Sequence, residues 1–298
     1  MRWVDTPPKF IATIVRKLKK TIMIQINKYI IIALLLFLIS CTEKKQEHFS
    51  FVQLCDTQLG FGGYEHDLKS LKMAVKQINT LNPDFVVICG DLVNDRNDSS
   101  FTDFKKIMGE FNMPYYPAPG NHDVGNVPND TTLSYYRKTI GEDYYKFQNK
   151  GYSFIVVNTQ LWKVNLENES EKHDNWFKET LKDESINDNP LFVIGHYPLF
   201  VEKLEEVETY YNLPLIKRKE VLNLFKQNNV AAYLTGHTHK RVINNYDSIQ
   251  LVSGETISKN FDENPLGFRI WKVSLDTITH HFVSLQHTII EQNEIENN

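Results

Sequence analysis

The sequence predicts an α/β fold, a layered α/β/β/α sandwich with two mixed sheets, and three observations carry that expectation. Short apolar, β-branched runs alternate with helical stripes from Phe51 to Leu234. Five of these runs lead into a polar cluster, and four of the clusters open on glycine. Beyond residue 240 the pattern changes to strand pairs meeting at Asp247-Ser248 and at Leu275-Asp276. Alternation predicts strands with helices packed on their faces, while the pairs predict antiparallel hairpins.

Residues 1–41 stand apart. Tyr29–Ser40 is almost wholly apolar, follows Lys28 and runs into Leu38-Ile39-Ser40-Cys41. A basic stretch, a short apolar core and a small residue before the processing point describe a secretory signal. The final four residues resemble a bacterial lipobox, which makes Cys41 the expected lipidation site. An apolar run of about 12 residues falls short of the roughly 20 that span a bilayer, which argues against a signal anchor. Residues 1–22 are long, basic and proline-containing for a signal, and a start at Met23 would give one of ordinary size. The expected location is therefore the bacterial cell envelope, lipid-anchored and facing the periplasm or the outside. Residues 42–48 read as a tether, 49–287 as one domain and 288–298 as a polar tail.

Within the domain, Phe51–Leu54, Phe85–Cys89, Tyr115–Ala118, Leu191–Ile194 and Val230–Leu234 read as buried strands. A helix is predicted after the first by Leu68, Leu71, Met73, Val75 and Ile78, and after the second by Phe101, Phe104, Ile107, Met108 and Phe111. Tyr152–Asn158 reads as a strand, followed by a helix bearing Trp176, Phe177 and Leu181. Val221, Leu222, Leu224 and Phe225 mark a further helix. The hairpin strands are Arg241–Tyr246, Ile249–Ser253, Phe268–Ser274 and Thr277–Leu285. Val201–Pro214 lacks a clean period and reads either as a solvated loop or as one that shapes substrate access.

The clusters carry the chemistry. They are Asp56-Thr57-Gln58, Gly90-Asp91-Leu92-Val93-Asn94, Gly120-Asn121-His122-Asp123, Gly195-His196-Tyr197-Pro198 and Gly236-His237-Thr238-His239. Glycine at a strand end lets the backbone turn sharply. Carboxylates, amides and imidazoles are thereby delivered to one sheet edge, where α/β proteins place ligands. Such groups are metal ligands, and there are enough of them for two ions.

This ordered set resembles the calcineurin-like metallophosphoesterase superfamily, whose pattern runs Asp-x-His, Gly-Asp-x-x-Asp/Asn, Gly-Asn-His-Asp/Glu, Gly-His and Gly-His-x-His. The likeness is greater to a branch that acts as Ser/Thr protein phosphatase. Gln58, Gly120–Asn126, Asp143–Phe147, Asn158–Leu161 and His196–Phe200 carry that likeness. The resemblance implies the same sandwich and two divalent cations, Mn, Fe, Zn or Mg, one of them held by Asp56, Gln58, Asp91 and His239. Asp91, Asn121, His196 and His237 would hold the other, Asp91 bridging the pair. It further implies a metal-activated hydroxide as nucleophile, with His122 as the catalytic residue that is not a ligand. Asp123 is expected to hydrogen-bond the His122 ring and fix its tautomer. Gln58 departs from the broad pattern; a neutral amide oxygen suits harder ions such as Mn²⁺ or Mg²⁺ better than a borderline one. Asn94 and Asp95 are expected behind the ligands rather than among them.

The function this implies is a metal-dependent phosphoric-ester hydrolase, a phosphomonoesterase or protein phosphatase whose partner is a phosphorylated substrate. Alternatives are a phosphodiesterase acting on nucleotides or glycerophosphodiesters, and a catalytically silent binding module on the same scaffold. Without residues 1–40, which hold seven basic residues and one acidic residue, the chain is near −10 and lacks a nucleic-acid footprint. Cys55 and Cys89 end neighbouring strands, where disulfide geometry is poor, and read as small buried hydrophobes. Nothing in the sequence specifies an oligomeric state.

Overall fold

The structure is a computed structural model that describes residues 9–39, 48–186 and 189–285. It divides into two units, Met1–Gln46 and Glu47–Asn298. The first holds one helix, α1 (Lys9–Ile39), which continues through both the basic stretch and most of the apolar core. No helix among the described residues is long and apolar enough to cross a membrane. Cys41, most of the tether and the tail at 288–298 lie outside the described residues.

The second unit runs β1 (Phe49–Leu54), α2 (Tyr64–Leu81), β2 (Phe85–Cys89), α3 (Asp98–Met108), β3 (Tyr115–Ala118), α4 (Asn121–Val124) and α5 (Asp130–Thr139). Then come β4 (Tyr145–Asn149), β5 (Tyr152–Val156), α6 (Gln160–Lys163), α7 (Glu169–Glu184), β6 (Leu191–Ile194), α8 (Leu215–Gln227) and β7 (Val230–Thr235). The chain ends in β8 (Val242–Tyr246), β9 (Ile249–Ser253), β10 (Gly267–Val273) and β11 (Ile278–Ser284).

One sheet has the order β11-β10-β1-β2-β3 and the other β4-β5-β6-β7-β9-β8. β1, β2 and β3 are parallel, and β10 and β11 complete their sheet antiparallel. β5, β6, β7 and β9 are parallel, with β4 and β8 antiparallel at the edges. The two mixed sheets and the hairpins at both predicted turns match the sequence reading.

Three apolar layers explain the order. Phe51, Phe85, Phe154, Phe192 and Trp271 fill the space between the sheets. Leu71, Ile78, Phe101 and Phe104 pack α2 and α3 on the first sheet, while Phe177, Leu181, Val221 and Phe225 pack α7 and α8 on the second. Cys55 and Cys89 lie unpaired in the inter-sheet layer, and burial pushes the Cys55 thiol up.

Some boundaries differ from expectation. The strand expected at Tyr152–Asn158 stops at Val156, and the helix expected to reach Phe111 stops at Met108. Of the strand-end glycines only Gly90 needs left-handed backbone, at φ +80°. Gly120, Gly195 and Gly236 are there for room. A Cβ would overlap Asp91 at Gly120, and would lie 2.6 Å from Thr159 Cγ2 at Gly195 and 2.6 Å from Asp56 Oδ2 at Gly236.

Candidate metal centre

All the predicted ligands converge where the parallel strands end. The first sheet supplies Asp56 and Gln58 after β1, Asp91 after β2 and Asn121 at the start of α4. The second supplies His196 after β6 and His237 and His239 after β7. Every one of them is buried. Asp56, Gln58, Asp91, His237 and His239 adopt left-handed φ of 48°, 28°, 50°, 67° and 51°. Such backbone at non-glycine residues costs on the order of 1–3 kcal/mol each and clusters at functional sites. Hydrogen bonds lock it in place: Gln58 N donates to Asp91 O at 2.8 Å, and His237 N donates to Asp56 Oδ1 at 2.9 Å.

A backbone carbonyl ties one nitrogen of each imidazole. His196 Nδ1 meets Cys89 O at 2.8 Å, His237 Nε2 meets Tyr210 O at 3.1 Å, and His239 Nδ1 meets Lys259 O. A ring nitrogen against a carbonyl must donate, so the other nitrogen is left as an acceptor for a cation. Those free nitrogens point inward. His196 Nε2 lies 3.1 Å from His237 Nδ1, 3.1 Å from Asn121 Oδ1 and 3.3 Å from Asp91 Oδ2. His239 Nε2 lies 3.7 Å from Asp56 Oδ1.

Two donor clusters result, Asp91 with His196 and His237, and Asp56 with Asp91 and His239. Asp91 belongs to both. Gln58 Oε1 is buried without a hydrogen-bond partner, a position that a cation would satisfy. The donor set therefore fits divalent metals: mixed carboxylate, amide and imidazole ligands, together with one buried amide oxygen that lacks a hydrogen-bond partner.

The electrostatics agree. Burial raises the Asp56 carboxyl, with His239 and His196 working against it. Burial also opposes the Asp91 charge, yet His196, His122 and His237 outweigh it and hold that carboxyl below its usual range. His196 is penalised by burial but raised by Asp91 to about 9, whereas burial and the His196 charge keep His237 well below its ordinary value. Two buried carboxylates thus draw positive charge into the site, which divalent cations can supply.

His122 is half-buried on α4, with Nδ1 2.9 Å from Asn94 O. The expected contact with Asp123 is not made. Successive helical residues diverge by about 100°, and Asp123 points inward. Its carboxylate accepts from Leu92 N at 3.0 Å, Val93 N at 3.3 Å and Gly120 N at 2.8 Å. Asp123 thus staples the loop after β2 to the loop after β3, and burial followed by the Asp91 charge raises it to about 8. The tautomer of His122 is set instead by the Asn94 carbonyl. A groove of about 440 Å³ beside His122 is lined by Asn94, Asp95, Arg96, Asn121, Gly125 and Asn126.

The 201–214 segment reaches the centre through Tyr210. Tyr210 Oη accepts from Asn121 Nδ2 at 3.0 Å, in addition to the His237 contact. Tyr197 is buried with its ring centroid 3.8 Å from that of His237. The sequence reading missed Tyr210 and the carbonyls of Cys89, Asn94 and Lys259. Only Tyr210 had any signal, its place in an aperiodic loop directly after a site motif.

Carboxylates and imidazoles gathered at one edge of a two-sheet sandwich define a candidate divalent-metal centre, and the match to a phosphoesterase family model makes the class that of a metal-dependent phosphoric ester hydrolase. Residues 49–241 match the family model described as calcineurin-like phosphoesterase, and the chain belongs to that family. A Bos taurus serine/threonine-protein phosphatase CPPED1 is 30% identical over 272 residues, covering 82% of this chain and 87% of the relative. A dimetal phosphatase from Danio rerio superposes with a TM-score of 0.62 at 15% identity, covering 80% of this chain and 96% of that one. GAP50, described as the anchor in the inner membrane complex of Plasmodium, superposes with a TM-score of 0.60 at 19% identity. It covers 80% of this chain and 85% of its own.

Proposed function

We propose that this phosphoesterase is a phosphomonoesterase acting on phosphoproteins, with two divalent cations in its centre. The single observation that carries the two-cation reading is Asp91, which belongs to two donor clusters at once. Asp56, Gln58, Asp91 and His239 would hold one ion; Asp91, Asn121, His196 and His237 would hold the other. When bound, the cations supply Lewis-acid stabilisation of phosphoryl oxygens and acidify water. The choice of phosphoprotein follows the named activity of the CPPED1 relative.

His122 has the part of general acid. Asn94 O accepts from Nδ1, so Nε2 is the nitrogen that delivers a proton to the leaving oxygen. Arg96 lines the same groove and brings a permanent positive charge to it. His122→Asn should leave both ions bound and slow turnover of a phosphoserine peptide roughly 100- to 10,000-fold. The loss should be smaller for nitrophenyl phosphate, whose leaving group needs little protonation. Metal content and turnover are measured side by side. Metal loss in the variant, or equal slowing of both substrates, sinks the general-acid role; faster wild-type hydrolysis of diesters than of the peptide sinks the monoesterase reading.

The location we propose is the bacterial envelope, through a lipid on Cys41. Leu38-Ile39-Ser40-Cys41 supports it. Cys41→Ser should move the protein out of the membrane fraction or stall its processing, and unchanged retention would contradict the anchor.

A further inference from the structure

Of the carbonyls that orient the three ligand imidazoles, those of Cys89 and Lys259 lie at the end of β2 and in the loop after β9. The third, Tyr210 O, belongs to the long segment between β6 and α8. Tyr210 acts twice. Its carbonyl holds His237 Nε2 at 3.1 Å, which leaves Nδ1 facing His196, and its hydroxyl accepts from Asn121 Nδ2 at 3.0 Å. With Nδ2 engaged there, Asn121 presents Oδ1 to the cluster, 3.1 Å from His196 Nε2. Two atoms of one residue thus orient two donors that lie in the same cluster. The donors of the other cluster are set elsewhere: His239 by Lys259 O and Asp56 by His237 N.

The segment is built to hold Tyr210 in place. Arg218, fully buried, donates from Nε to Leu213 O at 2.5 Å and from Nη1 to Leu204 O at 2.8 Å and Glu206 O at 2.7 Å. The Glu206 carboxylate accepts from Val201 N and Glu202 N, both at 2.7 Å, and from Asn212 Nδ2 at 2.5 Å. Lys163 Nζ donates to Thr209 O at 2.7 Å and Asn212 O at 2.8 Å, which pins the chain on both sides of Tyr210. Tyr210 itself stays half-exposed, so these bonds to its neighbours, rather than burial of its ring, fix its position.

We propose that Tyr210 is a positioning residue for one metal site only, that of Asp91, Asn121, His196 and His237. The 201–214 segment is the strap that delivers it. This rests on the two-cation reading above.

The test is calorimetric titration of chelator-treated full-length chain with Mn²⁺. Wild type should take up two equivalents. Tyr210→Phe keeps the carbonyl and loses the hydroxyl, and should weaken one equivalent about 10- to 100-fold while sparing the other. Its metal-free unfolding midpoint should fall by only a few degrees, about the cost of one partly buried hydrogen bond. Lys163→Met, which loosens the strap beside the carbonyl, should weaken the same equivalent and serves if Tyr210→Phe does not fold. Unchanged affinities, or equal weakening of both equivalents, overturn the proposal. Uptake of a single equivalent by wild type overturns the two-cation reading instead, and Tyr210→Phe must then still weaken that one.

Discussion

Gln58 sits at φ +28° with its side-chain oxygen buried and without a hydrogen-bond partner. An unsatisfied buried acceptor costs about 1–3 kcal/mol, a penalty that a cation would remove. An imidazole in its place would be a softer donor, and histidine is among the residues that tolerate left-handed backbone. Gln58→His should therefore raise the affinity of one site for Zn²⁺ more than for Mn²⁺, read by competitive titration. If neither affinity moves, Gln58 is not a ligand. At this scale the residues that gather at the centre were legible, because Asp, Asn and His beside strand ends admit few other uses in combination. Their orientations were not. The carbonyls of Cys89, Tyr210 and Lys259 have no sequence signature, and although Asp and His favour left-handed φ, their presence at Asp56, Asp91 and His237 does not by itself show which of them adopt it. Asp123 shows the difference: adjacency to His122 suggested a pair, whereas the turn of α4 sends the two side chains apart.

Among the elements, central strands were legible and edge elements less so. β2, β5 and β6 are buried at every position, so apart from Ser153, which hydrogen-bonds Glu184, their composition is apolar. β4, at the sheet edge, alternates half-buried and exposed positions in Tyr-Lys-Phe-Gln-Asn, and the sequence reading did not assign it. α5 was missed for a similar reason. Only Leu133 and Tyr136 of its residues are buried, too few to set up a helical period. Its start is instead marked by Asn129, whose side chain accepts from Thr132 N. The glycine motifs were read for the right places with a partly wrong cause. Gly120, Gly195 and Gly236 let neighbouring loops touch, which brings Asp91, Thr159 and Asp56 within contact of a facing backbone. Close approach, unlike a turn, depends on a partner far along the chain and cannot be read locally.

Across the catalytic unit, the centre joins its two sheets. The acidic and amide donors come from the first sheet and the imidazoles from the second. Cations bound there would cross-link the layers at the end of the inter-sheet core and neutralise two buried carboxylates. Folding and metal binding should then be linked. An ion held at 100 times its dissociation constant adds about 2.7 kcal/mol of stability. For a domain of this size each kcal/mol moves the unfolding midpoint by about 2–4 °C, so each occupied site is worth roughly 5–10 °C. Chelation should lower the midpoint by that amount per ion lost, and excess Mn²⁺ should restore it. Sheets held together by apolar packing alone would show no such shift. The sign with pH follows from the ligands: imidazoles must be deprotonated to bind, so protons compete as the pH falls. With His196 raised to about 9, the gap between metal-loaded and chelated midpoints should be widest near pH 9 and close progressively toward pH 5. A gap that persists unchanged to pH 5 would mean that the imidazoles do not hold the ions, and that the stabilising cation binds through carboxylates elsewhere.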